Sequence, residues 1–522
     1  MRSVFVVAAF VALLAGAAWA EQAGALKAGD VVFATDFEGA DALAIAAERA
    51  GTVGLDKGCQ SDHALCVEVP AGAALRAANV QILLPVEKVR GAKLLLAVRL
   101  KAENVSAKPQ AWNGIKFMTP IDTPGGRVWP QGETGVGTFD WRTVVWQVYV
   151  PEDATRMALV LGLEQVTGKA WFDDVKIAVR RPRTPIVPRA GQGPAYKGHD
   201  LPRLRGAMVS YDIDAESLRV FGQEWNANLL RWQLTGWMPG GGVLDLSRYD
   251  QFLEGHLKKL DAALPLCEKY GIRVVVDLHS APGGRPESQL FNDPACQRKF
   301  VEVWERMARR YKGAKAVWAY DLLNEPIEGA FAEGCDDWQD LAARAARAIR
   351  AIDPERPIIV EPAQGGGPEG MRELRPINVP NVVYSFHMYQ PHAFTHQGVH
   401  DDWTKRPAYP GVIDGVAWDK TRLEAALKPA IEFQKAYGAH IYVGEFSAIR
   451  WAPEGSACRY IRDLIDLFEA HGWDWSYHAF REWQGWSVEH GADRADTAPA
   501  KEPTDRQELL RGWYAKNAKP KL

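Results

Sequence analysis

The stretch "VWAYDLLNEPIEG", Val317 to Gly329, begins as an apolar run of the kind that forms a buried strand, and it stops on Asn324-Glu325-Pro326. Proline lacks a ladder donor and so ends a strand, but ending a strand does not call for an amide and a carboxylate. Both make sense if the strand delivers them to a shared polar pocket at its C-terminal end. The neighbouring sequence repeats the arrangement. From Leu204 onward, strand-like runs alternate with helical stretches eight times: "LRGAMVSY", "NLLRWQL", "IRVVVDLH", "VWAYDLLN", "PIIVEP", "VVYSFHMY", "IYVGEF" and "WDWSYHAF". Helical periodicity is read over Asp214–Trp225, Tyr249–Tyr270, Cys296–Tyr311, Trp338–Ile352, Trp418–Tyr437 and Ala457–His471. Eight such units predict an α/β fold, a (β/α)8 TIM barrel, over residues 204–522. The rival is a doubly wound open sheet, but no G-x-G-x-x-G follows the first strand.

The region before the barrel reads differently. Residues 21–180 hold short runs such as "VVFATDF", "ALCVEVP", "KLLLAVRL", "RTVVWQVYV" and "KAWFDDVKIAV", separated by turn residues and without convincing amphipathic helices. That pattern predicts an all-β sandwich. Residues 181–203 read as a Pro/Arg-rich linker, the stretch from Arg180 to Arg203 containing five prolines. Residues 1–20 have a positive start at Arg2, an apolar centre and "AWA" at Ala18–Ala20, the pattern of a cleaved signal peptide, with a mature start expected at Glu21 and a secreted or periplasmic protein as the consequence.

A formal net charge of −3 argues against a nucleic-acid or anionic-membrane partner, and no obligate protein partner is evident. Twenty tryptophans are a high count, and flat aromatic faces suit stacking on pyranose rings. Six cysteines form no C-x-x-C pair; Cys59 and Cys66 are close enough to be a local disulfide in an oxidising compartment, and Cys267, Cys296, Cys335 and Cys458 read as small buried apolar residues.

In a barrel of this kind the active site lies at the C-terminal ends of the strands. The residues there are Arg231 after strand 2, His279 after strand 3, Asn324 and Glu325 after strand 4, Glu361 after strand 5, His387 and Tyr389 after strand 6, and Glu445 after strand 7. Each alone has a bland explanation as a cap or loop tie, but six strand ends converging on one ring weaken those explanations jointly. Glu325 and Glu445 could face each other across the mouth. Paired carboxylates are the equipment for glycoside hydrolysis, one protonated and one ionised. Arg231 and the Tyr389 hydroxyl could stabilise an ionised Glu445. A metal-dependent hydrolase would want a His/Asp ligand set after strand 1, which "MVSYDID" lacks.

Residues 204–515, through "LLRWQL", "VVVDLHSAPGG", "DLLNEP", "SFHMYQP" and "IYVGEFSA", resemble glycoside hydrolase family 5, a barrel family of retaining β-glycosidases. The resemblance implies that Glu325 is the acid/base and Glu445 the nucleophile, that Asn324 holds the sugar 2-hydroxyl, and that Arg231, His279, His387 and Tyr389 line the subsite of the attacked sugar. It implies no catalytic cofactor. The family's strand 8 usually carries a tryptophan platform; here the equivalent position falls near His478, and Trp483 is the candidate replacement. "ATDFEG" and "GKAWFDDVKI" resemble sandwich carbohydrate-binding modules of the family 4, 9 and 22 type, in which an acidic pair often holds a structural calcium. Glu38 and Asp173 are the candidates, with hydrogen bonding to a loop as the alternative. Trp112, Trp129, Trp141 and Trp146 could stack on sugar, two or more of them being core residues instead. The expected function is that of a secreted endo-β-1,4-glucanase with a polysaccharide substrate. A β-mannanase or another β-glucan hydrolase is the alternative enzyme, and a non-catalytic polysaccharide-binding protein the alternative of another class.

Overall fold

The computed structural model describes residues 26–39, 52–183, 198–237, 245–284, 288–328, 332, 334–400 and 405–521. The leader-like segment and most of the Pro/Arg-rich connector lie outside the described residues. The chain divides into two compact units at Pro185/Ile186.

Among its described residues the first unit is antiparallel strand apart from one short helical turn, Val86–Val89. One sheet has β1 (Val31–Thr35), β2 (Val53–Asp56), β3 (Ala64–Val69), β5 (Lys93–Val105), β9 (Gly137–Tyr149) and β11 (Gly168–Arg181); the other has β4 (Ala77–Leu84), β6 (Gly114–Met118), β7 (Ile121–Thr123), β8 (Gly126–Val128) and β10 (Arg156–Glu164). Leu94, Leu96, Val98 and Leu100 alternate inward along β5 and share a buried cluster with Leu159, Leu161 and Leu163 of β10, so the two sheets enclose one core. The expected Cys59–Cys66 disulfide is absent: both are free thiols. Cys66 is buried on β3 between Gly54 and Trp171, while the Cys59 sulfur takes a contact from Arg99 at 3.2 Å.

The second unit is a closed parallel barrel of eight strands: β12 (Arg205–Val209), β13 (Leu229–Gln233), β14 (Arg273–Asp277), β15 (Val317–Asp321), β16 (Ile358–Val360), β17 (Val382–Met388), β20 (His440–Phe446) and β21 (Asp474–Tyr477), with the small hairpin β18 (Gly411–Ile413) and β19 (Val416–Trp418) inserted before β20. Closure excludes the open-sheet alternative. The first expected helix is split, Ala215–Arg219 continuing into a π-helical turn, Val220–Glu224, and only a 3-10 turn, Pro368–Arg372, follows β16. Among the described residues no helix is long and apolar enough to cross a membrane.

Alternation along the strands builds the barrel interior in layers. Leu229, Val275, Ala319, Ile359 and Val383 pack together with Leu204, Trp318 and Tyr442 in an apolar lower layer. Two residues further up each strand the same inward positions are Arg231, Asp277, Asp321, Glu361 and Ser385, all fully buried. An apolar plug therefore supports a charged floor, and the candidate site sits on that floor.

Candidate active site

Arg231 organises the floor. Its Nε donates to Asp321 at 2.9 Å, Nη1 to Glu445 at 2.6 Å, and Nη2 to Glu361 at 3.0 Å and lies 3.2 Å from Asp277. Both Nη atoms reach the Asn324 carbonyl oxygen at 3.2 Å. The sequence reading placed Arg231 after strand 2 and lining the sugar subsite; it lies inside β13 and is 0% exposed, so it has no surface to offer a sugar. It acts instead through the groups it holds. Because its fork occupies the Asn324 oxygen, the amide nitrogen is the part of that side chain left to face outward.

Glu325 follows β15 with a left-handed backbone, φ 45°, which is costly for a residue with a Cβ and recurs at functional sites. Its N–H donates to Glu361 Oε2 at 2.8 Å, fixing the turn, and its Oε1 lies 2.8 Å from His387 Nδ1. Gly366 backs this corner: a Cβ there would come within 2.8 Å of Glu361 Oε2 and 3.3 Å of Glu325 Cγ. Glu445 comes from β20, where a register irregularity between Phe386 and His387 sets His387 opposite it. Tyr389 donates to Glu445 Oε2 at 2.8 Å. The preceding Gly444 leaves room for the His387 ring, whose Nε2 would lie 2.7 Å from a Cβ. One carboxylate oxygen of Glu325 and one of Glu445 lie within 4.8 Å of each other, and His387 Nδ1 reaches both, at 2.8 Å from Glu325 and 3.8 Å from Glu445.

The electrostatics split the two carboxylates from their ordinary behaviour. Burial disfavours ionised Glu445, but His387, His478 and Arg231 together hold its pKa well below the usual carboxylate range. Burial likewise opposes charge on His387, yet Glu361, Glu445 and Glu325 raise it well above an ordinary imidazole. Glu325 is also lowered: burial acts upward and the charge of Glu445 adds to it, but the hydrogen bond from His387 and the charges of His387 and His279 together outweigh them. In the free protein the mobile proton therefore sits on His387 and is shared with Glu325 across 2.8 Å.

The remaining expected residues fall around this pair. His279 is held by Asp277 through Nδ1 at 2.8 Å. His478 follows β21, its Nδ1 2.5 Å from the Tyr389 hydroxyl and 3.4 Å from Glu445, and its Nε2 3.2 Å from Glu482. Burial opposes its charge, but Glu482 and Glu445 push its pKa up to about 10. Trp483 is 39% exposed and sets its ring edge-on to Trp451 and Trp486. Asp277, Asp321, Glu482 and Trp486 were not singled out from sequence. For the first two the available signal was an aspartate closing an otherwise apolar strand, in "VVVD" and "VWAYD".

Glu38 and Asp173 do not present a cation cradle. Asp173 is buried and accepts from Cys59 N at 2.7 Å, Ser61 Oγ at 2.8 Å and Asp174 N at 2.8 Å, while Glu38 accepts from the His63 backbone at 2.6 Å and pairs with its ring at 3.0 Å. Proton donors occupy the oxygens that calcium would need, so the donor set does not fit the ion and favours the loop-bonding alternative.

A parallel barrel whose strand ends gather two close carboxylates, an arginine and a ring of histidine and tyrosine defines a glycoside hydrolase. The chain belongs to the cellulase family, glycosyl hydrolase family 5, whose model matches residues 193–482. It is similar to Endoglucanase C of Acetivibrio thermocellus, 31% identical over 258 residues covering 44% of this chain and 74% of that protein. It is also similar to Cellodextrinase A of Ruminococcus flavefaciens, 29% identical over 243 residues covering 44% and 69%. Among solved structures, Thermotoga maritima Cel5A, a mutant form with cellobiose, is 25% identical with a TM-score of 0.45, over 59% of this chain and 96% of that one. The family match does not extend to the N-terminal sheets.

Proposed function

We propose that this chain is a secreted retaining β-glycosidase that cleaves β-1,4-linked glucan by double displacement. The observation that carries the mechanism is the separation of the two carboxylates, within 4.8 Å between oxygens. Retaining enzymes place them about 5–5.5 Å apart, whereas inverting enzymes need about 6.5–9.5 Å to seat a water. Glu445, kept ionised by His387, His478 and Arg231, attacks the anomeric carbon; a C–O bond forms to Glu445 as the glycosidic bond breaks. Glu325 passes the proton it shares with His387 to the departing oxygen, then takes one from water, and that water displaces Glu445. Asn324 turns its amide nitrogen toward the 2-hydroxyl. Endoglucanase and cellodextrinase among the relatives support the glucan.

Proton NMR of the first product formed on a cello-oligosaccharide tests the stereochemistry. The β-anomer is expected before mutarotation, and the α-anomer in its place would remove Glu445 as nucleophile. Carboxymethyl cellulose tested beside mannan decides the sugar. The N-terminal unit offers Trp112 and Trp129, 61% and 58% exposed, as stacking faces, whereas Trp146 is core. These support a carbohydrate-binding role for the sandwich.

The shared proton carries a pH prediction. The alkaline limb of kcat/KM reports the essential acid of the free enzyme. It should lie above the ordinary imidazole range, because His387 is raised. Replacing His387 by Gln keeps a donor for Glu325 but removes the titrating ring, so the limb should move to lower pH by about one unit or more. A profile with an unmoved alkaline limb would show that the proton never belonged to the pair.

A further inference from the structure

Three side chains far apart in sequence meet at the opposite end of the barrel. His199 belongs to the segment leading into β12, His440 opens β20 and Asp474 opens β21. Both Nε2 atoms lie 2.7 Å from the same oxygen, Asp474 Oδ2. The three ligand atoms all fall within 4.8 Å of one another. We propose that His199, His440 and Asp474 form a structural binding site for zinc or a similar borderline divalent cation, unconnected with catalysis, that pins the entering segment to the floor of the barrel.

Several features go beyond a chance pair of hydrogen bonds. Two imidazole nitrogens and one carboxylate oxygen are the donor types zinc prefers, and three protein ligands leave a fourth position for water. Two of the three ligands are oriented from behind. His199 Nδ1 sits against the Leu201 backbone, 3.2 Å from its carbonyl and 3.1 Å from its nitrogen, and Asp474 Oδ1 accepts from Leu204 N at 2.8 Å. Outer partners of this kind fix ring direction in metal sites. If Nδ1 donates to the Leu201 carbonyl, a neutral His199 has a bare Nε2, and two acceptors then face each other at 2.7 Å until an ion or a second proton joins them. The Trp318 ring lies edge-on to His199 at 5.3 Å and gives an apolar wall. The two histidine side chains remain 10% and 12% exposed, enough for an entry path. Arg203 also faces the cluster, its Nε 3.9 Å from Asp474 Oδ1. At the catalytic mouth, by contrast, Arg231 lies 2.6 Å from Glu445 and competes with any ion.

The test uses full-length, untagged protein freed of metal by dialysis. Titration with zinc should show one saturable site per chain. Cobalt in its place should give visible absorption typical of a low-coordinate nitrogen and oxygen site, bleached by zinc. Zinc at one hundred times Kd should raise Tm by about 3–8 °C, without loss of hydrolytic activity. His440→Gln and His199→Gln each remove one ligand while retaining an amide donor for Asp474, and either should weaken zinc about 100-fold. Glu325→Gln, at the far end of the barrel, should leave the titration unchanged. Absence of saturable binding in the folded protein overturns the site, as does binding that survives both histidine variants. Binding lost in Glu325→Gln alone would place the ion at the catalytic mouth and equally overturn it.

Discussion

Glu445→Ala should abolish turnover of both a natural glucan and an activated aryl β-glycoside, by roughly 10⁴–10⁶-fold, because no covalent intermediate can form on either. Glu325→Ala should separate the two substrates. A glucan with a poor leaving group loses general acid assistance, about 10²–10⁴-fold. An aryl glycoside with a good leaving group scarcely needs that proton, so its glycosyl-enzyme should form and then accumulate for want of a base. Azide needs no base. In Glu325→Ala it displaces Glu445 from the anomeric carbon and gives the β-glycosyl azide with faster turnover. In Glu445→Ala it enters the vacated space, attacks from the opposite face as the aryl group leaves, and gives the α-azide. The geometry behind this assignment is asymmetric: Glu445 is bonded to Arg231 at 2.6 Å and to Tyr389 at 2.8 Å, whereas Glu325 is bonded to the proton-bearing His387. The opposite pair of products, α from Glu325→Ala and β from Glu445→Ala, would reverse the two roles.

Much of this arrangement was legible because strand periodicity is rigid. Once eight strands are read, the residues at their ends must share one rim, and Asn324, Glu325, His387, Tyr389 and Glu445 do so. Depth was not legible. Arg231 in "NLLRWQL" and Asp321 in "VWAYDLLN" look alike in sequence whether they reach solvent or lie beneath the site. In the fold the two are hydrogen-bonded to each other across the barrel, a relation between residues 90 positions apart. The same holds for His199 and Asp474, which only the closing of β21 onto β12 brings together. In the sandwich, β4 escaped notice because "AANVQILL" opens on two alanines and sets Asn79 and Gln81 among its apolar residues, and β2 has four residues, too few for a pattern to stand out. The disulfide expectation failed for a related reason: sequence proximity does not aim side chains, and Cys66 points from a β3 strand paired on both sides.

Arg231→Met should be the most damaging single change away from the reacting groups. The substitution keeps approximate volume and removes, among the described residues, the one arginine in ion-pair contact with Asp277, Asp321, Glu361 and Glu445. Breaking a buried pair by deleting one partner costs about 3–5 kcal/mol, since the other charge is left without compensation. The pH dependence should shift as well. In the wild type Glu445 is depressed, so its contribution to stability is present above the unfolded value of about 4.3 and is lost as pH falls through its folded value. Asp321 already differs, because burial raises it well above an ordinary aspartate despite Arg231. Without the guanidinium, Asp321 should rise further, and Glu445, still held down by His387 and His478, should lose part of its depression. A folded state that holds more protons than the unfolded chain loses stability as pH rises through that window. The variant should therefore be more resistant to urea at pH 5 than at pH 7, and the acid limb of its residual kcat/KM should move to higher pH as Glu445 becomes harder to ionise. Arg231→Lys keeps a charge but not the planar fork, and should recover part of the stability while still misplacing Asn324 and Glu445. A urea midpoint for Arg231→Met equal to that of the wild type at pH 7, or one that falls on acidification to pH 5, would mean that the four carboxylates do not depend on this arginine.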